Sequence, residues 1–152
     1  MDRPLLRVRR LHPEATIPAY QTDHAAGLDL AACLAEISGR ELVIRPGDIV
    51  IVPTGISAAI PEGYEGQVRA RSGLASKHGI TLPNSPGTID SDYRGEIKVP
   101  LINLGREPFT LAHAQRIAQL VIAPVAHVAI EEVDELDSTR RGVGGFGSTG
   151  TH

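Results

Sequence analysis

Asn84-Ser-Pro-Gly-Thr-Ile-Asp90-Ser-Asp-Tyr93-Arg-Gly-Glu-Ile97 is the stretch around which the rest of the chain is organised. Pro86-Gly87 signals a turn and Arg94-Gly95 a second tight spot. Between them lie Ile89, Asp90, Asp92 and Tyr93, and the pattern predicts a hairpin. Glycines let another molecule approach the main chain closely, so the segment can hold a flat polar ring by backbone hydrogen bonds with a carboxylate beside it. The same residues also make an ordinary hairpin with solvated aspartates.

Outward from this segment, Pro and Gly cut the chain into short pieces at Pro46-Gly47, Pro61-Glu62-Gly63, Gly95 and Gly105. Between the breaks lie β-branched runs at Leu6–Arg9, Glu41–Arg45, Asp48–Pro53, Gly66–Ala70, Glu96–Leu104, Arg116–Pro124 and His127–Val133. Short strands at this spacing predict a sandwich or barrel. Ser72 to His78 is the one helical candidate, so the expected class is all-β with one short helix. With three Tyr, two Phe and no Trp, the core must be aliphatic. Runs such as Ile49–Val52 and Leu120–Ile122 are apolar on both faces, which favours burial against other copies in a symmetric oligomer.

The 152 residues suit one domain that buries roughly 70% of its unfolded surface. A net charge of −3 gives no general basic field for nucleic acid, so an anionic ligand must be held locally. Cys33 is the only cysteine, which excludes an intrachain disulfide and fits a reducing, cytoplasmic setting. No apolar run is long enough to span a membrane or to act as a signal peptide. Residues 1–136 are expected to form the β domain. Residues 137–152, polar and Gly-rich, read as a flexible tail.

Four further patterns carry candidate chemistry. The tail contains Gly142-x-Gly144-x-x-Gly147, which lacks the strand and helix of a dinucleotide fold. It does offer Gly amides, Arg141, Ser148 and Thr149 for phosphate, and Phe146 for stacking on a base. Arg71-Ser72-Gly73 opens the short helix, where amides can meet an anion; Ser72 as an N-cap is the alternative. Arg116 and Gln119 are polar residues in an apolar strand. Asp29 is a carboxylate in an apolar surround, costly unless paired or near a metal.

Taken in order, Ala26-Gly-Leu-Asp29-Leu, Arg71-Ser72-Gly73-Leu-Ala, Gly87-Thr-Ile-Asp90-Ser-Asp-Tyr93-Arg-Gly, Arg116-Ile-Ala-Gln119 and Arg141-Gly-Val-Gly-Gly-Phe146-Gly-Ser-Thr-Gly150 closely resemble the five motifs of the trimeric deoxyuridine triphosphatase family. The resemblance implies a β-jelly-roll homotrimer. Its reaction would be hydrolysis of dUTP to dUMP and pyrophosphate by water attack on the α-phosphate, with Mg²⁺ on the triphosphate. That activity keeps uracil out of DNA and supplies dUMP for thymidylate synthesis. Each site would combine the second and fourth motifs of one subunit, the third motif of another and the tail of the third.

By position, the resemblance makes Asp90 the residue that activates the water and Tyr93 the ring packed on the deoxyribose. Asn84, Thr88, Ile89 and Lys98 would line the uracil pocket. Arg71, Ser72, Gly73 and Gln119 would contact phosphates. Arg141 would be the mobile arginine, Phe146 the lid on the base, and Gly147, Ser148 and Thr149 the partners of the phosphate tail. Asp29 would be associated with metal-bound water. A dCTP deaminase shares the plan but would be expected to lack the Gly-Phe-Gly-Ser-Thr-Gly tail and the Asp90/Tyr93 pattern. A non-catalytic nucleotide sensor would not need Asp90, Gln119 and Arg141 intact.

Overall fold

Alternation of apolar and polar residues is clearest in Glu96–Asn103, where Ile97, Val99, Leu101 and Asn103 are buried and Glu96, Lys98, Pro100 and Ile102 are less so. The computed structural model describes residues 3–146. It contains β1 (Arg7–Arg10), β2 (Leu28–Ala31), β3 (Glu41–Ile44), β4 (Ile49–Ala59), β5 (Tyr64–Ala70), α1 (Ser72–His78), β6 (Ile80–Thr81), β7 (Gly87–Ile89), β8 (Glu96–Asn103), β9 (Phe109–Ala112) and β10 (Arg116–Pro124). One four-stranded sheet runs β1-β4-β8-β6, a second runs β2-β10-β5-β7, and β3 pairs with β9. The paired strands are antiparallel and the class is all-β, jelly-roll-like, with one short α-helix, as expected.

The core is aliphatic. Leu34, Ile44, Val52, Val99, Leu101, Leu111, Ala118 and Leu120 are wholly buried. Asn103 is also wholly buried, and its amide donates to the Ile44 carbonyl at 2.9 Å and the Glu107 carbonyl at 2.8 Å while its oxygen accepts from Gly105 N–H at 2.8 Å. A buried amide with all these partners costs little and fixes the turn into β9.

Three expectations need correction. Asn84–Ile97 is not a hairpin: β7 pairs with β5 in one sheet and β8 with β4 and β6 in the other. Ile89 and Ile97 are both buried, so the segment crosses from one sheet to the other over a shared core. The run expected to end at Pro53 continues to Ala59, because a register shift between Pro53 and Ser57 absorbs Gly55. His127–Val133 is not a strand. It has strand-forming residues but no strand partner among the described residues, and Val128 and Ile130 are 78% and 94% exposed.

Candidate active site

The crossing from β7 to β8 opens a cavity of about 240 Å³. Asn84, Thr88, Ile89, Asp90, Tyr93 and Lys98, all singled out from sequence, line it. Val68, Leu82, Gly87, Glu96, Ile97 and Pro100 complete the wall. Val68 and Pro100 come from runs read only as core strands and Leu82 from none of the predicted runs, and only their place between the two sheets marks them. Because β7 is the edge of its sheet, one side of its main chain is free of strand partners and can face a ligand.

Local glycines shape this cavity. A Cβ on Gly87 would lie 3.1 Å from the Asn84 amide nitrogen, so glycine lets that side chain fold over the strand. A Cβ on Gly95 would lie 2.6 Å from Tyr93 Cζ and 2.9 Å from Cε2. The tyrosine ring therefore lies directly on Gly95, and its hydroxyl donates to the Glu96 carbonyl at 2.9 Å. Arg94 is spent on the same turn, donating to the Ser91 and Tyr93 carbonyls at 2.6 and 2.9 Å.

A second cluster is built on β2 and β10. Asp29, 5% exposed, accepts from Arg116 Nη1 at 2.9 Å and from Gln119 Nε2 at 3.3 Å, with Arg71 Nε 3.9 Å away. Arg71 Nη1 also donates to the Arg116 carbonyl at 3.2 Å. Gly27 makes this possible, since a Cβ there would lie 3.1 Å from Gln119 Cβ. Asp29 thus orients two arginines and a glutamine, of which Arg71 and Gln119 were the expected phosphate contacts. Arg116 had been noticed only as a polar residue in an apolar strand. Its pairing with Asp29 spans 87 residues and leaves no local signal.

Ser72 and Gly73 follow Arg71 at the start of α1. Arg71 holds the N-cap position and no side chain caps the helix, so Ser72 is not the cap. The first amides of such a helix have no intrahelical acceptor. Gly73 is exposed, and a Cβ there would meet nothing within 4 Å.

The two clusters do not meet within one chain. Ile89 pairs with Gly66 and Gly87 with Val68, which places Asp90 beyond the Gly66 end of β5. Arg71 follows the opposite end of that strand. At about 3.3 Å per residue, Arg71 lies about 16 Å farther along β5 than Gly66. Neither Arg71 nor Gln119 lines the cavity. Arg141 donates to the Gly144 carbonyl of its own turn at 2.8 Å, and Phe146 is fully exposed. Gly147, Ser148 and Thr149 lie outside the described residues. Away from both clusters, the hydrogen bond from Arg40 holds the Glu14 carboxyl below the usual carboxylate range, opposed by partial desolvation and aided by the charges of Arg40, His113 and His12.

A family model described as dUTPase matches residues 13–150. The chain belongs to the dUTPase family. It is 58% identical over 145 residues to the deoxyuridine 5'-triphosphate nucleotidohydrolase of Syntrophotalea carbinolica, an alignment covering 95% of this chain and 96% of that dUTPase. Among solved structures, the Staphylococcus bacteriophage 80alpha dUTPase with dUPNHPP superposes with a TM-score of 0.82 at 27% identity, covering 96% of this chain and 98% of that one. The dUTPase of Staphylococcus aureus phage phi11, described with a structural Mg(II) ion, shares the fold with a TM-score of 0.76 at 24% identity, covering 86% of this chain and 97% of that one.

Proposed function

We propose that the chain is a dUTP diphosphatase that hydrolyses dUTP to dUMP and pyrophosphate. The carrying observation is the cavity between the sheets, where an edge strand, a carboxylate and a tyrosine ring held on Gly95 converge. Uracil presents N3–H as donor and O4 as acceptor, and cytosine reverses both. Fixed backbone groups of β7 would pair with uracil and be left unpaired by cytosine, which gives strong discrimination. Tyr93 would close against C2′ of the sugar and leave no room for a hydroxyl.

Asp90 is exposed at the mouth of this cavity and is proposed as the general base. It would take a proton from water as the water oxygen bonds to the α-phosphorus. The bond from that phosphorus to the bridging oxygen breaks, and pyrophosphate leaves. Phosphoryl transfer depends chiefly on positioning and charge stabilisation. Arg71, the Ser72 and Gly73 amides and Gln119 are assigned to the phosphates, with Asp29 and Arg116 setting their orientation. Arg141, Phe146, Gly147, Ser148 and Thr149 are assigned to closure by the tail.

The strand-length separation between Asp90 and Arg71 supports a homotrimer whose sites draw on more than one copy. Exposed apolar residues of His127–Val133, which have no strand partner among the described residues, support the same assembly. Mg²⁺ is expected with the nucleotide. The described residues do not fit a protein-held ion: they contain no group of three His, Cys, Asp or Glu that could bind one, and Asp29 is closed by Arg116 and Gln119. The ion is assigned to the triphosphate. Among the described residues no helix is long and apolar enough to cross a membrane.

A nucleotide panel tests the proposal, with pyrophosphate and ammonia measured for dUTP, UTP, dCTP and dTTP with and without Mg²⁺. Pyrophosphate from dUTP alone supports it. Ammonia from dCTP would replace it with a deaminase, and no turnover of any nucleotide would favour a binding protein.

A further inference from the structure

Glu96 begins β8 opposite the register break of β4. Pro53 pairs with Lys98 and Ser57 with Glu96, so Thr54, Gly55 and Ile56 stand against the single residue Ile97. Gly55 has a φ of 68°, and a Cβ there would lie 2.9 Å from Cys33 Sγ, so the bulge needs glycine. Its amide donates to Glu96 Oε1 at 2.9 Å, while its carbonyl accepts from Leu11 N–H at 2.8 Å. The second carboxylate oxygen, Oε2, lies 3.5 Å from Lys98 Nζ. The Glu96 carbonyl accepts the Tyr93 hydroxyl at 2.9 Å. One residue is therefore anchored by the bulge and touches, through different atoms, two side chains of the cavity wall.

We infer that Glu96 is a positioning residue of the nucleotide cavity: its bulge-anchored carboxylate holds and neutralises the Lys98 ammonium beside the space for base and sugar. This rests on reading that cavity as the uracil–deoxyribose pocket. Lys98 is 55% exposed on a flexible stem, and without a counter-ion it would be a point-charge binder of phosphate. Phosphate drawn there would compete with the uncharged base. An exposed pair adds little to stability, so the effect belongs to binding.

The test is a double-mutant cycle on the full chain. Glu96→Gln keeps an acceptor for the Gly55 amide and leaves the carbonyl bond to Tyr93 untouched, so an unchanged melting temperature is expected. KM for dUTP should rise about threefold with kcat nearly constant, and inorganic pyrophosphate should inhibit more strongly by a similar factor. In a Lys98→Ala background the same substitution should have no further effect on either quantity. Equal effects in both backgrounds, no effect in the wild-type background, or a fall in kcat at constant KM would each overturn the inference. Should Glu96→Gln fail to fold, Lys98→Ala alone must leave pyrophosphate inhibition unchanged, because the paired ammonium holds no phosphate; weaker inhibition in that variant would overturn the inference. A wild-type chain that releases no pyrophosphate from dUTP would bring down the site reading as well, which separates the two failures.

Discussion

Replacing Gly73 by alanine should move stability and activity in opposite directions. Gly73 is the second residue of α1, and a Cβ there meets nothing within 4 Å. Its backbone is helical and needs no glycine. Alanine reduces the freedom of the unfolded chain and favours the helix, a gain of about 0.4–1 kcal/mol. For a chain of this size that corresponds to a rise of about 1–4 °C in melting temperature. If a phosphate rests on the first amides of the helix, the new methyl stands in its way. Losing one hydrogen bond to a charged group costs about 1.5–3 kcal/mol, or roughly a 10- to 150-fold fall in kcat/KM. Thermal melts and pyrophosphate release on the same preparation read both effects. Full turnover in a stabilised variant would remove Gly73 from the phosphate site. A lower melting temperature would refute the open space seen around it.

Gly95→Ala should push the Tyr93 ring off its seat, because the added Cβ would sit 2.6 Å from Cζ. The bond to the Glu96 carbonyl is then lost, melting falls by about 2–4 °C, and the preference for dUTP over UTP drops roughly tenfold; unchanged selectivity would clear Tyr93 of sugar recognition. Asp90→Asn should lower kcat by about 10²- to 10⁴-fold while equilibrium binding of dUTP stays within a few-fold, and near-normal turnover would remove the proposed base. Asp29→Ala leaves Arg116 and Arg71 without their shared anion. Since those side chains are 47% and 29% exposed, water takes part of the load, and about 1–3 kcal/mol of stability should be lost, less than for a fully buried pair, with a raised KM. Truncation after Leu136 should leave the melting temperature unchanged and remove most of the activity; full turnover would make the tail a passive appendage.

The fold class was legible in the sequence, and so were the residues that line the cavity; the strand boundaries were less so. Asn84, Thr88, Asp90, Tyr93 and Lys98 lie close in sequence, so a local motif carries their convergence. Glu96 in the same segment escaped notice because its partner Gly55 lies 41 residues away on another strand. Strand composition marked β3, β5, β8 and β10, and the helix Ser72–His78 matched residue for residue. β6, β7 and β9 have two to four residues, too few for alternation to show. β4 hid its second half behind Pro53 and Gly55, which read as breakers until a bulge gives them a place. His127–Val133 erred the other way: local propensity is satisfied only if a partner strand exists, and the described residues supply none.

The run of β5 between the cavity and the Asp29 cluster has a genetic consequence if sites are shared among copies. Damage to one copy would then be felt in a neighbour's site, so a defective allele would silence more sites than it encodes. Conversely, two chains crippled at opposite ends of the strand could restore one another when mixed. Selection would then act on the population of assembled chains, with no single copy owning a complete catalyst.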